Sequence, residues 1–185
     1  MTSAALTPST PWSSSAVTES ATTTENILDV TARGYIDVAA LGKVFATDHK
    51  TTLSASYPKE LAIDRDNTTK YISSSLTLSQ PWWMVELKTV YDIKLIYILP
   101  YVDCGLFCLD AIHLKFYTGD SLVKDGNFAS YINVAYYWGV YTSDQGYLIA
   151  SVYTKARYVA IVLNGEIGFD VLALAEVMVF VEPIS

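Results

Sequence analysis

Apolar and polar residues alternate in short runs along most of the chain, and Gly, Pro, Asn and Asp separate these runs. In residues 83–87, Trp83, Val85 and Leu87 fall on one face of an extended chain, because successive side chains of a strand point to opposite faces. The odd positions of residues 175–181 likewise form an apolar face, which is typical of an inner strand. No helical periodicity extends beyond about two turns. The pattern therefore predicts an all-β fold.

Nine candidate strands follow from runs of β-forming residues that end at turn residues. They are Ile27–Val30, Tyr35–Val38, Trp83–Leu87, Ile93–Leu99, Ile112–Tyr117, Ala129–Tyr137, Gly146–Tyr153, Tyr158–Leu163 and Ala175–Val181. Their spacing is typical of an antiparallel β-sandwich. A chain of 185 residues fits a single core, so we expect one domain over residues 26–185.

Residues 1–25 have a different composition, with thirteen Ser or Thr, two Pro and no apolar periodicity. We expect this segment to be a flexible arm, because it has too few apolar residues to bury. It fits an O-glycosylated stalk, an arm that orders on a partner subunit, or a plain disordered terminus.

Charge and hydropathy exclude two classes of function. The formal net charge is −7 and no cluster of Lys and Arg is present, so nucleic-acid binding, which depends on neutralising phosphates, is not expected. No apolar run approaches the roughly 20 residues that a membrane-spanning helix needs. The first residues show neither the basic nor the apolar region of a signal peptide.

The ten residues 61–70 (LAIDRDNTTK) concentrate carboxylates, an amide and hydroxyls in a chain that is otherwise 51% hydrophobic. Calcium takes six to eight oxygen ligands from such groups and from backbone carbonyls. Asp64, Asp66 and Asn67 also suit Asx-turns, which need no metal. Glu176 favours the cation, because a carboxylate within an apolar strand has to be exposed or compensated.

Several segments resemble the F-type lectin (fucolectin) family of the discoidin, or galactose-binding-domain-like, superfamily. They are residues 37–43 (DVAALGK), 61–64 (LAID), 81–87 (PWWMVEL), 156–161 (ARYVAI) and 172–177 (LALAEV). The resemblance covers about residues 26–181. It implies a jelly-roll β-sandwich with binding loops at one end, a calcium ion that ties these loops together, and an extracellular or surface-associated location.

The resemblance also implies which residues hold the ion. The ligands would be the carbonyls of Leu61, Asp66 and Ala175, the carboxylates of Asp64 and Glu176, and the hydroxyl of Ser75.

The chain departs from the lectin pattern at the sugar site. The family's histidine position falls near Leu78 and its two arginine positions fall on Tyr101 and on or beside Cys108, while its aspartate is kept as Asp103. All three donors are thus replaced, so we expect fucose recognition of the usual kind to be absent or weak, because unpaired sugar hydroxyls cost about 1–3 kcal/mol each. The candidate ligand-binding rim consists of Leu78, Tyr101, Asp103, Cys104, Phe107 and Cys108. Cys104 and Cys108 are either bridged or free thiols.

These features predict a non-catalytic, calcium-stabilised module for glycan recognition or adhesion, with a glycan or glycoprotein as partner. Neither His49 nor His113 has a motif around it that suggests catalysis. The alternative is a structural subunit of an extracellular, surface or virion assembly that has lost sugar binding. The aromatic stretch Tyr131–Tyr141 fits protein contacts or self-assembly, a platform for sugar rings, or simply a half-buried outer face.

Overall fold

The computed structural model describes residues 30–31, 33–47, 56–74, 80–101, 111–164 and 171–183. The segment predicted to be an arm, residues 1–25, lies outside them. Within these ranges eight strands form: β1 Ile36–Asp37, β2 Lys43–Ala46, β3 Tyr71–Ile72, β4 Trp82–Pro100, β5 Ala111–Gly119, β6 Ile132–Val140, β7 Leu148–Leu163 and β8 Ala173–Val181. Short 3₁₀ helices lie at Ala39–Leu41, Lys59–Ile63, Phe128–Ser130 and Ser143–Gln145.

All strand pairs are antiparallel. The strand order is β1-β8-β4-β7-β5-β6, with β2 added beside β4 and β3 beside β8. The long strands β4 and β7 pair along most of their length, but their register shifts between Glu86 and Tyr91 and again between Ile93 and Leu95. Such bulges bend and twist a strand, so β4 and β7 contribute to both layers of a β-sandwich.

One buried cluster joins the two layers. It contains Val85 and Leu87 from the first half of β4, Ile96 and Ile98 from its second half, and Val177 from β8. Burying such side chains stabilises the fold by about 1.5–3 kcal/mol each relative to exposure. The predicted alternation is confirmed here, since Trp83, Val85 and Leu87 all face this core.

The outer faces of the sheets are also covered. Trp82 and Met84 pack under the segment that connects β5 to β6, where Phe128 meets the Trp82 ring edge-on at 5.6 Å and Tyr131 joins the same cluster. On the other sheet, Tyr97 and Phe180 contact each other at 5.0 Å between ring centroids. Strand β8 is therefore buried on both faces, as its composition indicates.

The structure corrects several predicted strands. Trp83–Leu87 and Ile93–Leu99 are parts of the single strand β4, and Gly146–Tyr153 and Tyr158–Leu163 merge into β7. Polar residues between the paired runs suggested turns, but they occupy bulges instead. Tyr153 marks the bulge in β7 with a φ of 45°.

Other boundaries differ as well. The first residues of the predicted strand Ala129–Tyr137 form a 3₁₀ helix, and β6 begins at Ile132. Of the predicted strand Ile27–Val30 only Val30 is described, and it is helical rather than extended. The short strands β2 and β3 were not predicted, because two to four residues carry too little periodicity.

The loops that precede β3 and follow β4 meet at one end of the sandwich. The Trp83 indole Nε1 donates to the carbonyl of Lys59 at 3.0 Å, which fixes the 3₁₀ helix beside β4. Tyr101, just after β4, donates its backbone N–H to the carbonyl of Ala173 at 3.0 Å. Strand β3 pairs with β8 through Tyr71 and Leu174. This end of the fold therefore brings residues 57–73 next to the start of β8.

Candidate functional site: an acidic loop against the closing strand

Residues 64–69 form two consecutive Asx-type turns after the 3₁₀ helix Lys59–Ile63. Asp64 Oδ1 accepts the backbone N–H of Asp66 at 2.9 Å. Asp66 Oδ1 accepts the N–H of Thr68 at 2.9 Å and its hydroxyl at 2.6 Å. These bonds from Thr68 lower the pKa of the Asp66 carboxyl. The turn geometry that the sequence allowed is therefore present.

The hydroxyl of Thr69 lies where three oxygens of this loop converge. Thr69 Oγ1 is 2.7 Å from Asp64 Oδ2, 3.0 Å from the carbonyl oxygen of Asp66 and 3.4 Å from the carbonyl oxygen of Leu61. The resemblance implies these same three residues as cation ligands. A single hydroxyl hydrogen cannot satisfy three acceptors at once, so this loop end is rich in oxygen lone pairs.

Arg65 gives the loop its sharp reversal. Its φ of 65° lies in the left-handed region, which costs a non-glycine residue about 1–2 kcal/mol. Its guanidinium lies 3.6 Å from Asp37 Oδ2, a half-exposed contact worth little by itself. Asp37 also accepts the backbone N–H groups of Ala39 at 2.9 Å and Val179 at 3.1 Å. Burial nevertheless raises the pKa of Asp37, although these amides and Arg65 oppose the shift.

Glu176 is a buried carboxylate in β8 with an unsatisfied oxygen. Its exposed fraction is 3%, and Oε1 accepts the N–H of Val177 at 3.3 Å. Oε2 is buried and has no hydrogen-bond partner among the residues that the structure describes. Burial raises the pKa of Glu176 to about 7, the charges of Asp64 and Asp37 add to this shift, and the amides of Val177 and Arg65 oppose it. The acidic loop (residues 64–69) and the closing strand β8 are therefore close enough for their carboxylates to repel each other.

The donor set suits a hard cation that binds oxygen. Within the described ranges no three His, Cys, Asp or Glu side chains gather into a metal-binding group, so any ion here would need carbonyl and hydroxyl ligands. Calcium accepts such ligands and irregular geometry, whereas zinc prefers nitrogen and sulfur. The orphaned Oε2 of Glu176 and the convergent oxygens around Thr69 both fit such an ion.

Five of the six implied calcium ligands lie in this region: Leu61 in the 3₁₀ helix Lys59–Ile63, Asp64 and Asp66 in the acidic loop, and Ala175 and Glu176 on β8. Ala175 is the neighbour of Glu176 on β8 and is buried. Ser75 lies outside the described residues. Whether these residues bind calcium stays a prediction.

Of the predicted ligand-binding rim, only Tyr101 falls within the described residues. Its ring packs with Tyr57 against buried Ile72, Val171 and Ala173. The Lys70 ammonium lies 3.7 Å from the centroid of the Tyr101 ring. The other predicted rim residues, Leu78, Asp103, Cys104, Phe107 and Cys108, lie outside the described residues.

Sequence reasoning missed three residues of this site: Thr69, Lys70 and Asp37. Thr69 and Lys70 belong to the polar segment 61–70, but their individual contacts depend on how the turn closes. Asp37 begins the segment 37–43 that resembles the lectin family, and only the pairing of β1 with β8 brings it near Glu176.

A second unusual feature is an aromatic surface on β5 and the edge strand β6. The rings of His113 and Trp138 stack with centroids 3.7 Å apart, and Tyr136 lies 5.8 Å from Trp138. Trp138 is 62% exposed, Tyr136 48% and Ile132 65%. By contrast Tyr131 and Tyr141, at the two ends of the predicted aromatic stretch, are buried. The stretch is thus divided between core and surface.

The fold is similar to that of solved carbohydrate-binding proteins. A family 32 carbohydrate-binding module from Clostridium perfringens NanJ, in complex with galactose, matches with a TM-score of 0.59 and 15% identity, over 79% of this chain and 98% of that chain. The module CpGH89CBM32-5 of the same organism, in complex with GalNAc-β-1,3-galactose, matches with a TM-score of 0.59 and 18% identity, over 78% of this chain and 99% of that chain. An F-lectin (fucolectin) from the serum of striped bass, Morone saxatilis, matches with a TM-score of 0.63 and 24% identity, over 80% of this chain and 49% of that chain.

These similarities define the chain as an antiparallel β-sandwich of the discoidin, galactose-binding-domain-like fold. They confirm the predicted fold class. No protein-family model and no curated protein matches the sequence. Across the described ranges, none of the helices combines the length and apolar character that crossing a membrane requires.

Proposed function

We propose that this chain is a non-catalytic glycan-binding module, acting outside the cell or at a surface, whose binding loops are fixed by calcium. The main support for a calcium ion is Glu176. Its buried carboxylate has an oxygen without a hydrogen-bond partner among the described residues, and it lies close enough to Asp64 to feel the charge of that carboxylate. A buried charge without compensation is strongly unfavourable, so an ion at this point would compensate the carboxylate of Glu176.

Two features support the proposal that the ligand is a glycan. One is the fold, and the other is the composition of the end of the sandwich where the acidic loop lies. Fold alone is a poor guide to ligand, but the loop end also presents tyrosine rings beside a cationic side chain. Sites for small ligands are typically concave, with mostly apolar walls and a few polar groups that fix the orientation of the ligand.

The proposed calcium ligands are the carbonyls of Leu61, Asp66 and Ala175, the carboxylates of Asp64 and Glu176, and the hydroxyl of Ser75. When bound, calcium supplies positive charge that offsets the two carboxylates and links the loop to β8. The Asx turns already hold Asp64 in place, and Thr69 orients its second oxygen. Residues beside the loop, Tyr101 among them, would then present a fixed surface to a ligand.

The non-catalytic part is supported by the likeness to carbohydrate-binding modules and a lectin. His113, the one histidine within the described ranges, stacks on an indole ring rather than meeting a nucleophile.

A glycan array on the full chain, in calcium and in chelator, tests this proposal. We expect binding to a restricted set of glycans in calcium and loss of that binding in chelator. Fucosylated glycans should be weak or absent ligands, because the donors of the usual fucose site are replaced. Failure to bind any glycan, in a sample whose calcium affinity is shown by calorimetry, would overturn the glycan function while leaving the calcium site intact.

Two substitutions distinguish loss of the calcium site from a general loss of structure. D64N should abolish calcium-dependent glycan binding, because it removes charge from the proposed coordination sphere. D125N is a matched control, since Asp125 is exposed and accepts only the nearby N–H of Asn127 at 3.1 Å. Equal loss in both variants would contradict a specific calcium site.

A second candidate function, a structural subunit of a larger assembly, is favoured by the aromatic surface on β6. This strand lies at the edge of the sheet order and exposes Ile132, Tyr136 and Trp138. Edge strands with exposed apolar side chains readily pair with other chains. If the function is assembly, light scattering should show an oligomer that the double variant Y136K/W138K dissociates. A strictly monomeric wild-type chain would count against this candidate.

A further inference from the structure

The Lys70 ammonium is held on aromatic rings at the loop end of the sandwich. It lies 3.7 Å from the centroid of Tyr101 and 6.0 Å from that of Tyr57. Lys70 immediately precedes β3 and Tyr101 immediately follows β4, so the pairing of both strands with β8 brings them together. Cation–π contacts of this kind place the charge over the ring face.

Lys70 forms no ion pair with any carboxylate within the described ranges, where Lys59, Arg65, Lys94 and Arg157 make the ion pairs. This is unexpected, because the chain is acidic and Lys70 closes the acidic loop. The nearby carboxylates are already engaged: Asp66 accepts from Thr68, and Asp64 accepts from Asp66 and Thr69. The three N–H donors of the ammonium are not consumed by a ring contact.

The surroundings of Lys70 have the make-up of a small ligand site. The side chains of Tyr57 and Tyr101 are half-buried and pack on an apolar base formed by Ile72, Val171 and Ala173. The half-buried tyrosine rings above this base suit the C–H face of a sugar ring, while the ammonium beside them supplies charged donors. Hydrogen bonds between an ammonium and an anion are about twice as strong as neutral ones.

We propose that Lys70 binds the anionic group of an acidic glycan, and that Tyr101 and Tyr57 hold the ammonium in position. The inference rests on the proposed glycan-binding function and deepens it by naming the ligand class. The anionic group is either the carboxylate of an acidic sugar or a sulfate ester. Lys70 lies outside every ligand position that the resemblance implies.

The test is isothermal titration of the full chain, in calcium, with three probes: short oligogalacturonates, a 6-sulfated galacto-oligosaccharide and the corresponding neutral galacto-oligosaccharide. We expect one of the two anionic probes to bind at least tenfold more tightly than the neutral one. Its affinity should fall as salt increases, because the contact is electrostatic. Which anionic probe binds distinguishes carboxylate from sulfate recognition.

The variant K70Q should lose at least tenfold in affinity for the anionic probe and change little toward the neutral one, whereas K70R should retain most of the preference. K43Q is the matched control, because Lys43 also lies over a ring, that of Phe45 at 5.2 Å, but on β2 opposite Glu86. K43Q should bind all probes as the wild type does. Thermal unfolding of each variant checks that the fold is kept.

Two results would overturn the inference alone: neutral and anionic probes bind the wild type equally, or K70Q keeps the full preference for the anion. If no probe and no glycan on the array binds, the proposed glycan function fails together with it. The two failures are therefore distinguishable.

Discussion

The carboxylate of Asp64, in the acidic loop, raises the pKa of Glu176, in the closing strand. These residues come from opposite halves of the sequence, and the fold places them close enough for charge repulsion. Burial is the largest cause of the raised pKa, and the unsatisfied Oε2 atom is its structural counterpart. This relationship connects the fold, the proposed ion and the pH dependence of the protein.

Removing the charge of Glu176 should stabilise the calcium-free protein at neutral and higher pH. Because the pKa rises on folding from 4.5 to about 7, the stabilising effect of protonated Glu176 is full below pH 4.5 and is lost as the pH rises to about 7. Each pKa unit corresponds to about 1.4 kcal/mol. In chelator, E176Q should therefore exceed the wild type by about 3 kcal/mol in unfolding free energy at pH 8, and the difference should vanish near pH 4.

Chemical denaturation across this pH range measures the effect. E182Q is the control, since Glu182 is exposed and makes only a 3.8 Å contact with Lys94. In calcium the order at pH 8 should reverse, because the wild type gains stability from the ion and E176Q does not. A wild type that is more stable than E176Q in chelator at pH 8 would contradict the assignment of Glu176 as an uncompensated buried charge.

Thr69 should act as a positioning residue for the proposed ion. T69V removes the hydroxyl that contacts Asp64 Oδ2 at 2.7 Å. We expect its free energy of unfolding in chelator to fall by about 1 kcal/mol, and its calcium affinity to fall about tenfold. T68V is the control, because the Thr68 hydroxyl contacts Asp66 Oδ1 instead. Calorimetry with calcium measures both variants. An unchanged calcium affinity in T69V would remove Thr69 from the site.

Thr118 offers a stabilising substitution. Its hydroxyl is buried in β5 and finds no hydrogen-bond partner in the described part of the chain. Because burying an unpaired hydroxyl is unfavourable, the isosteric T118V should raise the unfolding free energy by about 1 kcal/mol. T118S keeps the hydroxyl and loses the methyl group, so it should destabilise. Urea denaturation measures the free energy of unfolding of both variants. A destabilised T118V would show that the hydroxyl is paired in solution.

Gly126 allows the segment between β5 and β6 to approach Trp82. Its φ is +76°, and an added Cβ would lie 2.4 Å from Trp82 Nε1. G126A should therefore cost about 2–4 kcal/mol, from the left-handed backbone and the steric clash together. In G146A nothing lies within 4 Å of the added Cβ, so the steric part of the cost is missing. The φ of 67° and ψ of −139° at Gly146 lie close to backbone space that is nearly restricted to glycine, which costs about 1–3 kcal/mol. A thermal shift in G126A smaller than that in G146A would rule out the close contact with Trp82.

The sequence predicted the all-β class because strand periodicity is local. The alternation of Trp83, Val85 and Leu87 reports directly on which side chains face the core. It also identified the Asx turns of residues 64–69, because Asp and Asn bond to backbone groups only two residues away. Both signals depend on neighbours in the chain.

Strand continuity was decided by tertiary structure. The polar residues between Leu87 and Ile93 suggested a turn, yet β4 continues through a bulge because β7 pairs with it on both sides. The same pairing carries β7 past Tyr153. Hydrogen bonds to a distant strand outweigh local preference at these points, and no local pattern reports them.

By itself, then, the sequence determined the layer pattern, the acidic composition of the loop and the presence of a carboxylate in an apolar strand. Only the tertiary structure decided that Glu176 is buried, that Asp37 lies near it and that Lys70 lies on Tyr101. The physical reason is that charge–charge and cation–π energies depend on distance and burial, and strand pairing between distant segments sets both.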